Sequence, residues 1–391
     1  MTMHRSIQPS SDWDPFAAAG GVDPRDVYDD MRERCPVAYS DALQWSVFRH
    51  DDVMRILADH ETFSNQVSRF LSVPNGMDPP EHTVYRGVIV PYFSKERVQA
   101  FEPVGRAIVV EHVDRVTARG QIDLISDFAL DVSVRMHCAF LGWPEHLHQR
   151  LAEWTLRSRD AARFRDQSAL AAVSHEFRAL VDEMLHERRA SHASPEDDVT
   201  RLLMSETVFS RPLDDEEITS ILRNWTVGEI GTMSAAIGIV VHFLAEHPDL
   251  QEHLRAEPSL LSPAIDETLR LHGPLVTNRR IATRRVEIGG RTIEAGERLS
   301  LNWVAANRDE RAFENATTFA LDRDPSRNLL YGAGIHVCPG APLARLELRL
   351  VLEELLQRTS GIELDPAGQP VMASYPASGF ATLPVRMMAS C

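Results

Sequence analysis

Apolar positions recur at helical spacing along most of the chain and alternate at strand spacing only in short stretches. Residues 26–34 form a short helical pattern, and 37–39 and 44–48 read as two strands of a small sheet. A helix with an acidic start follows at 50–57. The loop at 65–77 carries Phe70, Leu71, Val73 and Pro74, as a lid over a binding cavity would. Pro79 and Pro80 break it, and in the helix beyond, His82 and Arg86 stand one turn apart on one face. From about 104 to 201 the pattern is repetitively helical. The longest helical pattern, 216–247, spans about 48 Å at 1.5 Å per residue and is apolar nearly all round, which predicts a path through the core. Strand signals return at 286–288, 292–293 and 298–304, with Gly289-Gly290 as a hairpin turn. A last helix is predicted over 343–357, and a last hairpin over 374–384 with Gly379, Phe380 and Ala381 at its turn. The expected class is mainly α: a large helical part with a small β-rich part.

Composition narrows this picture. A chain of 391 residues with 43% hydrophobic content can bury a large core, and no linker, repeat or low-complexity tract divides it. The net charge of −16 argues against general nucleic-acid binding. Four cysteines (35, 138, 338, 391) show no framework spacing, as in a reducing compartment, and no second Cys or His stands at zinc-ligand spacing. The opening residues lack an apolar leader, and Glu229 and His242 inside the longest apolar stretch argue against a membrane span. The expectation is a cytoplasmic protein with no membrane and no nucleic-acid partner.

The chemistry concentrates in residues 330–345. Gly332 and Gly334 allow a tight bend and a close approach to the backbone. Cys338 follows, just ahead of a helix whose N-terminal potential favours thiolate. Pro339 has no N–H, so donors to that sulfur must come from Gly340 onward. A lone cysteine on such a turn is usually packing. This stretch, however, resembles the haem-binding signature of the cytochromes P-450, Phe-x-x-Gly-x-basic-x-Cys-x-Gly. Gly334, His336, Cys338 and Gly340 match it, and Tyr331 stands in place of Phe.

The resemblance extends over roughly residues 40–384 in the family's order. It implies the cytochrome P-450 fold as one haem domain over 1–391 without a fused reductase, and haem b (iron protoporphyrin IX) held through Cys338. His82, Arg86 and Arg280 would reach the haem propionates, with Gly332, Gly334, His336 and Gly340 shaping the cysteine loop. Glu267 and Arg270 would lock to Arg323 as a structural triad. In the longest helix, Val227, Gly228, Glu229, Gly231 and Thr232 align with the oxygen groove, and Thr232 would sit over the iron. Here the chain departs from the family, because Gly231 replaces the usual Asp or Glu beside that Thr. Glu229 is acidic but lies two residues earlier, about 200° round an ideal helix. Whether Glu229, water or peroxide chemistry compensates is open at this point.

Electrons would come from a separate ferredoxin or flavin/iron–sulfur reductase docking on the cysteine side, near Arg345 and Arg349. The stretches 74–82 and 227–232 look similar to those of bacterial P-450s that O-demethylate methoxyphenols with release of formaldehyde. That implies dioxygen and a small aromatic substrate, with Phe70, Phe164 and Phe380 closing round the ring and Leu71, Val73, Val276 and Thr277 lining the rest. The rival readings are hydroxylation of a terpene, fatty acid or biosynthetic intermediate, peroxide-driven oxygenation, a non-catalytic haem sensor, and a haem-free helical interaction protein.

Overall fold

The computed structural model describes residues 11–16, 23–191 and 198–389; Cys391 and most of residues 1–20, expected to hold no leader, lie outside them. Asp23 caps the first helix, α1 (Pro24–Arg34), by accepting from the Arg25 N–H. A hairpin of β1 (Val37–Ser40) and β2 (Gln44–Val47) leads to α2 (His50–Ala58) and β3 (Phe63–Ser64). Past the loop bearing Phe70 come α3 (Glu81–Ile89) and α4 (Lys95–Arg119), the latter capped by Ser94 and ended by Gly120. β4 (Gln121–Asp123) interrupts the helical run, and a π-helical turn leads into α5 (Leu130–Leu141). Then follow α6 (Leu147–Arg163), α7 (Gln167–Ala190), α8 (Val199–Ser205) and a small hairpin, β5 (Thr207–Val208) with β6 (Arg211–Pro212).

The central helix α9 (Asp215–Glu246) starts on a capping box in which Asp214 and Glu217 each satisfy the other's backbone N–H. It is long and apolar enough to cross a membrane, yet 67% of its most apolar window is buried inside the fold. It packs against α5, α7, α11 (Leu261–His272, after α10, Pro248–Ala256) and the α13 helix (Ala341–Arg358) that follows the cysteine loop. Between them run β7 (Thr277–Ala282), β8 (Val286–Ile288), β9 (Arg291–Ile293), β10 (Arg298–Asn302) and α12 (Trp303–Asn307). The chain closes with β11 (Thr359–Leu364), β12 (Val371–Met372), β13 (Phe380–Thr382) and β14 (Pro384–Ala389). Two sheets anchor the helices: β1-β2-β10-β7-β3, with β10 parallel to β2, and β11-β14-β4.

Two local expectations shift. The strand predicted over 298–304 ends at Asn302, whose side chain accepts from the Ala305 N–H and starts α12 instead. In the tail, Gly379 is in the connection with φ of 74°, but Phe380 is the first residue of β13 and pairs with Met372.

Candidate active site

The cysteine loop is bent by its glycines. Gly332 and Gly334 both have φ of 70°, and a Cβ on Gly334 would stand 2.6 Å from the Leu57 carbonyl oxygen, so no other residue fits there unstrained. The Cys338 N–H donates to the Tyr331 carbonyl at 2.8 Å, closing the loop ahead of α13. Cys338 is exposed, yet its thiol is pushed up by the bulk around it, the combination expected of a group facing an interior cavity. Hydrogen bonds from the Gly340 and Ala341 N–H groups and the charge of Arg86 oppose that rise. Arg86 also donates to the Val337 carbonyl, which ties α3 to the loop.

Beside the cysteine loop lies a set of donors whose hydrogen-bonding capacity is not filled. The His82 and His336 rings are 4.2 Å apart, and Nε2 of each is buried without a partner. Burial lowers the His82 pKa, assisted by Arg86, and burial with His82 and Arg280 lowers that of His336 to about 3. Arg280 on β7 is buried, donates to its neighbour's carbonyl, and is depressed by burial to about 10. Asp78 is the carboxylate acting on Arg280, but its oxygens take the Ser64 hydroxyl and the Asn65 N–H. Buried polar donors left without partners are costly. The set fits the two carboxylates of the haem that the signature implies.

The opposite wall is α9. In the middle of a largely buried helix, Val227, Gly228 and Gly231 are exposed and Thr232 is half-buried. A Cβ on Gly228 or Gly231 would meet nothing within 4 Å, so the groove is open there. Thr219 and Thr226 bond back to the carbonyls four residues earlier, whereas among the described residues Thr232 makes no such bond and its hydroxyl stays available. Glu229 turns toward α5, with Oε2 3.1 Å from His137 Nδ1.

The predicted triad side chains meet. Arg270 holds Glu267 in a two-pronged pair at 2.7 and 2.8 Å, and the Arg323 Nε donates to Glu267 Oε1 at 2.8 Å. Arg270 also donates to the carbonyls of Asn307 and Ala316. The segment before the cysteine loop is thereby fastened to α11.

The three phenylalanines expected to close round a ring stand on a loop, a helix end and a strand. Phe70 is 81% exposed, and Phe164 is 69% exposed beside a groove between α6 and α7 with Arg163 over its ring. Phe380 is buried and stacks on His242, with an edge against Gly238, two turns beyond the groove. Val276 belongs to the core around Trp13 and Phe48, and the Thr277 hydroxyl pairs with the Tyr375 hydroxyl at 3.1 Å. The Leu71 carbonyl and Val73 N–H both bond Ser220 Oγ, so these residues pin the loop to α9. Arg345 pairs with Asp266 and lies over the Tyr331 ring, and Arg349 pairs with Glu353 and Glu102, so both guanidiniums are engaged within the chain.

The Tyr331 hydroxyl is buried without a partner. Tyr331→Phe is therefore expected to leave the fold equally stable or about 1 kcal/mol more stable in thermal melts. Sequence reasoning missed Tyr375, His137 and Glu347. For Glu347 a signal existed: it stands in the stripe Leu343, Leu346, Glu347, Leu350, where every neighbour is apolar.

Residues 164–389 match the family model described as Cytochrome P450. Cyclomarin C epoxidase of Salinispora arenicola is 31% identical, over 88% of this chain and 90% of its own. Mycinamicin IV hydroxylase/epoxidase of Micromonospora griseorubida is 32% identical, over 90% and 91%. The open structure of P450 EryK from S. erythraea superposes with a TM-score of 0.85 at 28% identity, covering 94% of this chain and 96% of that one.

Proposed function

The chain belongs to the cytochrome P450 family, and from that premise we propose that it hydroxylates or epoxidises a bulky biosynthetic intermediate rather than a single-ring methoxyphenol. Family members are haem-b monooxygenases that use dioxygen and redox partner proteins. Bound haem supplies oxygen activation, and a thiolate ligand adds electron density that favours O–O cleavage. Cys338 is the residue assigned to hold the iron, and His82, Arg86, Arg280 and His336 the propionates. Thr232 is assigned to hold a proton donor over the oxygen site. The triad of Glu267, Arg270 and Arg323 steadies the loop. Electrons would arrive from a separate ferredoxin or flavin/iron–sulfur reductase.

The observation that carries the substrate class is the uncovered mouth of the groove. Its loop is pinned to α9 at Ser220, Arg223 and Asn224, yet Phe70 and Val227 remain 81% and 57% exposed. A lone ring would leave that apolar surface wet, whereas a larger substrate covers it. The two named relatives act on cyclomarin C and mycinamicin IV, which accords with this reading. A panel of macrolides and cyclic peptides is expected to shift the haem spectrum and yield oxygenated product with added ferredoxin and reductase, while guaiacol does neither. A guaiacol shift with formaldehyde release would return the assignment to O-demethylation. Thr232→Ala is expected to lower product per dioxygen consumed roughly tenfold or more, with peroxide in its place. Unaltered coupling would make Thr232 a packing residue.

A further inference from the structure

Behind the groove lies a buried acid pair. Glu347 on α13 is 1% exposed, and its carboxyl faces that of Glu229 on α9 within hydrogen-bonding reach. Among the described residues, neither Glu347 oxygen nor Glu229 Oε1 receives a bond from any N–H or hydroxyl. Two carboxyls so placed can bond each other only if one carries a proton, and burial together with Glu229 raises the Glu347 pKa well above the usual range.

The third member is His137 on α5, fully buried. The Thr226 hydroxyl gives its proton to the Leu222 carbonyl at 2.8 Å, so it can only accept from His137 Nε2, 2.9 Å away. That places a proton on Nε2 and leaves Nδ1 to share one proton with Glu229 Oε2. Two bridging protons, one between His137 and Glu229 and one between Glu229 and Glu347, then satisfy the three side chains together. Glu229 is its most accessible member, at 15% side-chain exposure, and sits between Gly228 and the open position 231. The other titratable groups facing the set are Cys138, pushed up to about 12 by burial and Glu229, and Tyr331 and Cys338, both raised by burial.

We propose that Glu347, Glu229 and His137 form a buried proton reservoir that stands in for the acid missing at position 231. This rests on the monooxygenase reading above. Glu347 passes its proton across to Glu229, Glu229 releases a proton toward cavity water at Thr232, and a proton taken up from solvent entering the cavity restores the pair. No net proton is consumed by the reservoir itself. His137 is a positioning residue that holds the Glu229 carboxylate between its two partners.

The test is infrared spectroscopy of the carbonmonoxy ferrous holoenzyme, in which the thiolate-type carbon monoxide band verifies the monooxygenase reading in the same sample. Wild type is expected to show a protonated-carboxyl C=O band that is insensitive to alkaline pH, absent in Glu347→Gln and displaced in Glu229→Gln. If the thiolate band is present and Glu347→Gln keeps the carboxyl band unchanged, the reservoir is overturned. Should Glu347→Gln not fold, an unmoved band in Glu229→Gln overturns it equally. Loss of the thiolate band in wild type would instead defeat the underlying reading. Reductase-driven turnover of Glu347→Gln is expected to fall roughly 100-fold with an enlarged solvent isotope effect; a wild-type rate and isotope effect would also sink the proposal.

Discussion

Cys338→Ser is expected to abolish the long-wavelength ferrous–carbon monoxide absorption of the holoenzyme and all reductase-driven turnover. A serine hydroxyl ionises far less readily than a thiol, so the N–H groups of Gly340 and Ala341 and the charge of Arg86, which favour an anion at this site, have none to stabilise. The fold should persist, because the loop is closed by the backbone bond from the Cys338 N–H to the Tyr331 carbonyl and by the bends at Gly332 and Gly334. Unfolding curves of the apoprotein should therefore change little while the spectrum changes completely. A serine variant with the wild-type ferrous–carbon monoxide band would mean that another group holds the iron.

The second large effect concerns stability. Arg270→Ala is expected to cost about 3–5 kcal/mol, because it strips Glu267 of a two-pronged partner at a buried site and leaves the Asn307 and Ala316 carbonyls without their donor. Arg323 would remain on Glu267 but reaches a single oxygen. Arg270→Lys should recover little, since an ammonium cannot reproduce the fork. An exposed pair such as Arg157 with Glu176 sets the contrast: its removal should cost no more than about 1 kcal/mol. Denaturant unfolding followed beside haem retention checks both, and a loss at Arg270 as small as that at Arg157 would refute the anchoring role.

How far the site was readable in advance depended on the kind of signal. Glu267 and Arg323 lie far apart in the chain, yet the family resemblance paired them, and their side chains do meet. The hydroxyl of Thr232 was distinguishable from a back-bonding one only once Thr219 and Thr226 could be compared with it. A ring cage was not legible as geometry, because Phe70, Phe164 and Phe380 share no element and nothing local sets the distance between a loop, a helix end and a strand. Periodicity placed Phe380 at a turn, whereas pairing with Met372 put it in β13 and against His242.

By itself the sequence determined what depends on neighbours along the chain: the span of α9 to within a residue, the left-handed bends before Cys338, and the turn of Glu229 away from position 231. These follow from helical period and backbone sterics, which need no distant partner. Only the tertiary structure decided that Glu229 meets Glu347 and His137, that Arg280 comes close enough to depress His336, and that Phe70 stays uncovered. The first hinges on how α5, α9 and α13 cross and the others on how strand and loop dock on the helices, geometry set by the packing of many side chains at once.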